Sequence, residues 1–277
     1  MFWFLVVLVA VVVTTKTAPI DPEDSWMTDE DDFYDFYGQP DANTGERVAA
    51  WNPFSRINPE ELGSYAKGDI LIPRDPPLEG VRNALVASEA RWPGAVVPYV
   101  INGTFSLDEV ATISAAMTSI EQFTCIKFVE RTTEVDYVTI ESGASGCWSS
   151  VGRIGGNQVL NLQPPACVWN VGTPIHELMH SLGFFHEQSR HDRDKYVQIF
   201  WHNVQVGQDH NFKKFDRTLA TTVVPYDFNS VMHYSGLAFS KNNKSTIKPK
   251  MSGVRLGQRD YLSANDIKKV KQMYQCN

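Results

Sequence analysis

Thr173-Pro174-Ile175-His176-Glu177-Leu178-Met179-His180-Ser181-Leu182-Gly183-Phe184-Phe185-His186-Glu187 is the stretch that decides how this chain folds and what chemistry it can do. Thr173 reads as an N-cap and Pro174 as the first helical residue, where a missing N–H costs nothing. Residues four apart on a helix share a face, so the imidazoles of His176 and His180 can reach one ion while Glu177 lies beside it. Two histidines one turn apart can also simply solvate a helix face, and the residues that follow decide between the two. Gly183 can adopt a left-handed backbone, end the helix and turn the chain back, which brings His186 to the same point. Catalytic zinc typically takes three protein ligands and leaves one position for water, whose pKa falls to about 7. His176, His180 and His186 fit that count, with one Zn2+ per domain as the expected cofactor.

Working outward, Arg91-Trp92-Pro93 precedes Val96, Val97, Tyr99, Val100 and Ile101, a β-branched and aromatic run that predicts a strand and the start of a packed domain. Ser106-Leu107-Asp108-Glu109 is a capping box, and Val110, Ile113, Met117 and Ile120 recur at helical spacing up to about Phe123. Strand-like runs follow at Ile126 to Val129, Tyr137 to Ile140 and Val159 to Leu162, separated by turns that include Gly143, Gly146, Gly155 and Gly156. Ser263 to Asp266 caps a last helix, with Ile267, Val270 and Tyr274 on one face. No internal repeat or appended module is evident. His191, His202 and His210 lack ligand spacing and read as structural or exposed.

The front of the chain has a different texture. Phe2 to Val13 is an apolar run broken by Thr14, Thr15 and Lys16; a membrane-spanning helix needs about 20 such residues, so residues 1–18 are expected to be a signal peptide rather than an anchor. Residues 19–82 carry 15 Asp or Glu against 5 Lys or Arg, whereas residues 83–277 carry 17 against 19. Like charge at that density, together with Pro53, Pro59, Pro73, Pro76 and Pro77, predicts a mostly irregular segment that wraps another surface. The later part is near neutral and has no basic stripe with interleaved aromatics, which argues against nucleic acid as a partner. Cys125, Cys147, Cys167 and Cys276 form no C-x-x-C pair, so two disulfides in an oxidising compartment are a better reading than thiolate zinc ligands. Asn102-Gly103-Thr104 and Asn243-Lys244-Ser245 are glycosylation acceptors.

His176 to Asp194, HELMHSLGFFHEQSRHDRD, resembles the long zinc signature of the astacins, with Glu187 directly after the third histidine. Ser230-Val231-Met232-His233-Tyr234 resembles the family's Met-turn. The resemblance covers residues 83–277, including Arg91-Trp92-Pro93 and Gly146-Cys147-Trp148. It implies an α+β, metzincin-like domain of two lobes. The N-terminal lobe would hold a twisted, mostly parallel sheet and two long helices, one of them zinc-binding; the C-terminal lobe would be irregular and end in a helix.

By the same resemblance, the chain is expected to be a secreted, monomeric endopeptidase that cleaves proteins or peptides. Glu177 would be general base to a zinc-bound water and then proton donor to the leaving amine, a role worth about 100- to 10,000-fold in rate. Tyr234 would ligate the metal at rest and swing to the oxyanion, Met232 would pack beneath the site, and His233 would be structural. Cys125 would pair with Cys276 and Cys147 with Cys167. Gly68-Asp69 resembles the prosegment element whose aspartate takes the water position on zinc and keeps the zymogen inactive; the position three residues before Asp69, often aromatic in the family, is Ala66, with Tyr65 one residue earlier. Cleavage near Arg82 and Asn83 would free an amino terminus that becomes buried near Glu187. A catalytically silent binding protein would not need Glu177 and Tyr234, and a matrix metalloprotease would carry a prosegment cysteine, whereas no cysteine precedes Cys125.

Overall fold

The computed structural model describes residues 26–27, 38–71, 90–215 and 224–277. The β-branched run after Pro93 forms strand β1 (Val96–Ile101), which pairs in parallel with β2 (Lys127–Glu130) and β3 (Tyr137–Glu141). Strand β5 (Asn157–Leu162) adds in parallel to β3, and the short β4 (Cys147–Ser149) closes that edge antiparallel, giving the order β2-β1-β3-β5-β4. The outer edge of β4 receives residues 69–71. Ser149 N–H donates to Asp69 O at 2.9 Å, and Leu71 N–H donates to Ser149 O at 3.1 Å.

Helix α2 (Leu107–Phe123) starts as its capping box requires: Ser106 N–H donates to Glu109 Oε2 at 2.7 Å and Glu109 N–H to Ser106 Oγ at 3.4 Å. Its stripe of Ile113, Ala116, Met117 and Ile120 packs in one cluster with Val97, Ile126, Val138, Ile140 and Leu160 of the sheet. Ile175, Leu178, Met179 and Leu182 of helix α3 (Gly172–Ser181) and the turn after it join the same core. Each fully buried aliphatic side chain there contributes roughly 1.5–3 kcal/mol relative to exposure. The later half has few regular elements and its own cluster, formed by Val197, Ile199, Phe212, Tyr234, Phe239 and Ile247 among others. The chain ends in helix α4 (Ala264–Met273), capped by Ser263 and Asp266. The result is a mixed α/β architecture with a mostly parallel sheet.

Cys125 is bonded to Cys276 and Cys147 to Cys167. The second bond ties the edge strand β4 to the turn before α3, and so holds two walls of the site together. Replacing Cys147 and Cys167 by Ala is expected to lower the unfolding free energy by about 3 kcal/mol, from the entropy returned to the denatured chain. A urea midpoint unchanged by that pair of substitutions would contradict it.

Within residues 19–82 the described part, residues 26–27 and 38–71, is mostly irregular and carries one short α-helix. Ala42–Ala49 forms helix α1, whose N-cap Asp41 accepts from Asn43 N–H at 3.0 Å and Thr44 N–H at 3.1 Å. The helix persists because it packs on the sheet lobe: Gln163 Nε2 donates to Gly45 O at 2.9 Å, and a Cβ on Gly45 would lie 2.0 Å from Ala144 O. Trp26–Met27 also pairs in parallel with Lys214–Phe215. The expected signal peptide and the cleavage region at Arg82 and Asn83 lie outside the described residues.

Candidate active site

Helix α3 begins earlier than the motif suggested, at Gly172. Val171 occupies the cap position, and Asn170 Oδ1 accepts from Gly172 N–H at 3.2 Å and Thr173 N–H at 3.5 Å. Thr173 is therefore inside the first turn and not the cap; its hydroxyl is used elsewhere, donating to Glu60 Oε2 at 3.2 Å. Pro174 still falls in the first turn, where it costs no hydrogen bond. At the other end Gly183 has φ of 104°, and Gly183 N–H donates to His180 O at 2.8 Å, so the chain reverses and delivers His186.

His176, His180 and His186 converge, each no more than 1% exposed. His186 Nε2 lies 3.2 Å from His176 Nε2 and 3.3 Å from His180 Nε2. Asp69 Oδ2 is 3.0 Å from both His176 Nε2 and His186 Nε2, and Asp69 Oδ1 is 3.5 Å from His180 Nε2. His176 Nδ1 donates to Val231 O at 2.8 Å and His180 Nδ1 to Phe184 O at 2.7 Å, which leaves each Nε2 as a lone pair. Burial drives His176 well below its ordinary pKa and His186 down to about 4, which favours the neutral form of these two rings, the form that ligates metal. Burial opposes the charge of Asp69, but its contacts with the facing His186, His180 and His176 side chains outweigh that and hold it well below the usual carboxylate range.

Lone pairs and a carboxylate facing one another in a buried space repel unless a cation lies between them. Four ligands placed tetrahedrally around zinc at its usual bond lengths are about 3.3 Å apart, and the spacings here are 3.0–3.5 Å. The donor set thus fits Zn2+. Among the described residues it is also the group of His, Cys, Asp and Glu side chains able to share an ion, and His191, His202 and His210 lie outside it.

Glu177 is fully buried in the next position on α3, and neither carboxylate oxygen has a hydrogen-bond partner. Burial pushes its carboxyl well above the ordinary range, with Asp69 and Glu60 adding to the effect. Met232 packs in the same core cluster as Ile175, Leu178 and Met179. Tyr234 places its ring 4.6 Å from that of His186 and donates its hydroxyl to Lys67 O. His233 is tied into the scaffold, accepting from Tyr226 Oη at 2.8 Å and donating to Tyr234 O at 2.8 Å.

Glu187 is enclosed by Lys269 Nζ at 2.6 Å, Arg190 Nη1 at 3.1 Å and Asp227 N–H at 2.8 Å. Glu187→Gln would leave the buried Lys269 ammonium without its closest counter-charge, at an expected cost of about 3 kcal/mol. Thermal denaturation checks this, and an unchanged Tm would remove Glu187 from the framework of the site.

Two glutamates that the sequence did not single out also meet here. Glu60 Oε1 accepts from Arg259 Nε at 2.5 Å, with Glu60 fully buried. Glu61 accepts from Ser235 N–H at 2.5 Å and Ser235 Oγ at 2.6 Å. Adjacent glutamates in an acidic stretch read as solvated, and partners 199 and 174 residues away leave no local signal. Tyr65, one residue before Ala66, packs edge-on against Trp148 at 6.0 Å and donates to Ser145 O at 2.7 Å.

The model of the astacin peptidase family matches residues 84–275. An astacin-like metalloendopeptidase of Gallus gallus is 38% identical over 262 residues, 92% of this chain and 62% of that protein. The zinc metalloproteinase nas-4 of Caenorhabditis elegans is 40% identical over 226 residues, 78% of this chain and 70% of that protein. The solved structure of high choriolytic enzyme 1, a hatching enzyme zinc-protease from Oryzias latipes, superposes with a TM-score of 0.62 at 41% identity, covering 69% of this chain and 93% of that one. The family model spans the same residues that build the sheet, the histidine cluster and the closing helix, and the chain belongs to the astacin family of zinc metallopeptidases.

Proposed function

We propose that this chain is a secreted endopeptidase precursor: residues 1–18 a signal peptide, 19–82 an inhibitory prosegment and 83–277 the peptidase domain. The observation that carries the reading is the convergence of three imidazoles and one carboxylate within 4.8 Å, with an unpartnered glutamate on the same helix turn. His176, His180 and His186 would hold Zn2+ in the mature enzyme, and Asp69 would add a fourth ligand in the precursor. Bound zinc supplies a Lewis acid that polarises a carbonyl and acidifies water.

Glu177 takes a proton from the attacking water and returns it to the leaving amine. Its place on α3 beside the metal-facing histidines, with no structural partner for either oxygen, suits that exchange. Tyr234 is held by Lys67 O in the precursor; once the prosegment leaves, its hydroxyl is free to donate to the developing oxyanion. Asp69 meanwhile fills the space that water and the scissile carbonyl need.

Two disulfides suit an oxidising compartment, and Asn102 and Asn243 are both exposed, as glycan acceptors must be. Among the described residues no helix is long and apolar enough to cross a membrane. Substrates are proteins or peptides, bound by a single copy of the chain.

The test is cleavage of casein or a quenched peptide by the processed chain. Activity should disappear with a chelator and return with one equivalent of zinc. Cleavage indifferent to metal removal would overturn the proposal.

A further inference from the structure

Lys67, on the prosegment, is only 1% exposed. Its Nζ donates to His210 O at 2.9 Å and Lys213 O at 2.7 Å, and lies 5.0 Å from the centre of the Phe215 ring. Burying an ammonium without partners is prohibitive, so a site that accepts one must be built for it. Two backbone carbonyls and an aromatic face are such a site. The two carbonyls and the ring belong to residues 210–215, which the proposed processing leaves in the peptidase domain.

Neighbouring charges do not fill it. Lys214 Nζ is engaged by Asp194 Oδ2 at 2.6 Å, and Arg193 Nε by Asp194 Oδ1 at 3.0 Å. The pocket also adjoins the chemistry: Lys67 lies two residues before Asp69, and its own carbonyl accepts from Tyr234 Oη.

We propose that this pocket is a substrate subsite for a cationic side chain, filled by Lys67 in the precursor and by a lysine or arginine of the polypeptide substrate in the mature enzyme. The inference rests on the proposed removal of the prosegment. An aliphatic side chain would leave the carbonyls without a donor, and an acidic one would be repelled by them, so the pocket discriminates by charge.

The test uses the processed enzyme and a series of quenched peptides. A single lysine is walked from four residues before the scissile bond to four after it, and each peptide is compared with methionine at the same position. At one position lysine should raise kcat/KM about tenfold over methionine, the scale of a charge-assisted bond with a ring contact. Arginine should behave like lysine, and glutamate should fall below methionine. Phe215→Leu should reduce the lysine preference severalfold. Because that preference is a ratio measured on one enzyme sample, it is independent of how much of the variant folds.

A ratio near one at every position, or one unmoved by Phe215→Leu, overturns the pocket. Chelator-sensitive cleavage of the methionine peptides reports separately on the peptidase reading, so the two failures are distinguishable.

Discussion

Processed Glu177→Ala should bind zinc and keep its fold while losing about 100- to 10,000-fold in kcat, the usual worth of a positioned general base. The size of the effect follows from the site. Glu177 has no structural partner to lose, since both oxygens are buried and unpaired, so truncation removes a proton acceptor without breaking a network. Removing a buried carboxylate that has no hydrogen-bond partner should leave stability unchanged or improved. Single-turnover kinetics with metal content measured on the same sample checks this. Equal cleavage by the variant would remove the mechanism.

The intact precursor should be unlocked only when two restraints are removed together. Asp69→Ala frees the metal side of the cleft, but the segment is still held by the buried pair between Glu60 and Arg259 and by the contacts of Glu61 with Ser235. Breaking a buried ion pair costs about 3–5 kcal/mol, more than a hundredfold in a docking equilibrium. The single variant should therefore show weak activity toward a small peptide, and Asp69→Ala with Glu60→Gln should approach the processed enzyme. A double variant as silent as the unaltered precursor, with the chain shown to be uncleaved, would mean that these residues do not maintain latency.

Legibility in the sequence tracks how local each determinant is. The helix over Leu107–Phe123 and the one over Ala264–Met273 were readable because cap and stripe lie within a few residues of each other. The histidine cluster was readable for the same reason: two ligands share a helix face, and Gly183 reverses the chain to bring the third. Thr173 misled because a threonine before a proline looks like a cap, whereas Asn170 reaches the first N–H groups from further out. Helix α1 was hidden by its shortness, at eight residues. Its stability comes from docking on residues 144 and 163, far along the chain. The strand Cys147–Ser149 is too short to show alternation, and its role as the edge that receives residues 69–71 comes from topology. Lys67, Glu60, Glu61 and Arg259 are legible only once residues 38–71 are seen packed on the rest of the chain.

The most direct test of the central claim is the metal itself. The processed chain, dialysed against zinc-free buffer, should retain one zinc per molecule, and its X-ray absorption spectrum should show three imidazole nitrogens at about 2.0–2.1 Å. A folded, processed sample that holds no zinc, or holds it without His176, His180 and His186, would contradict the account.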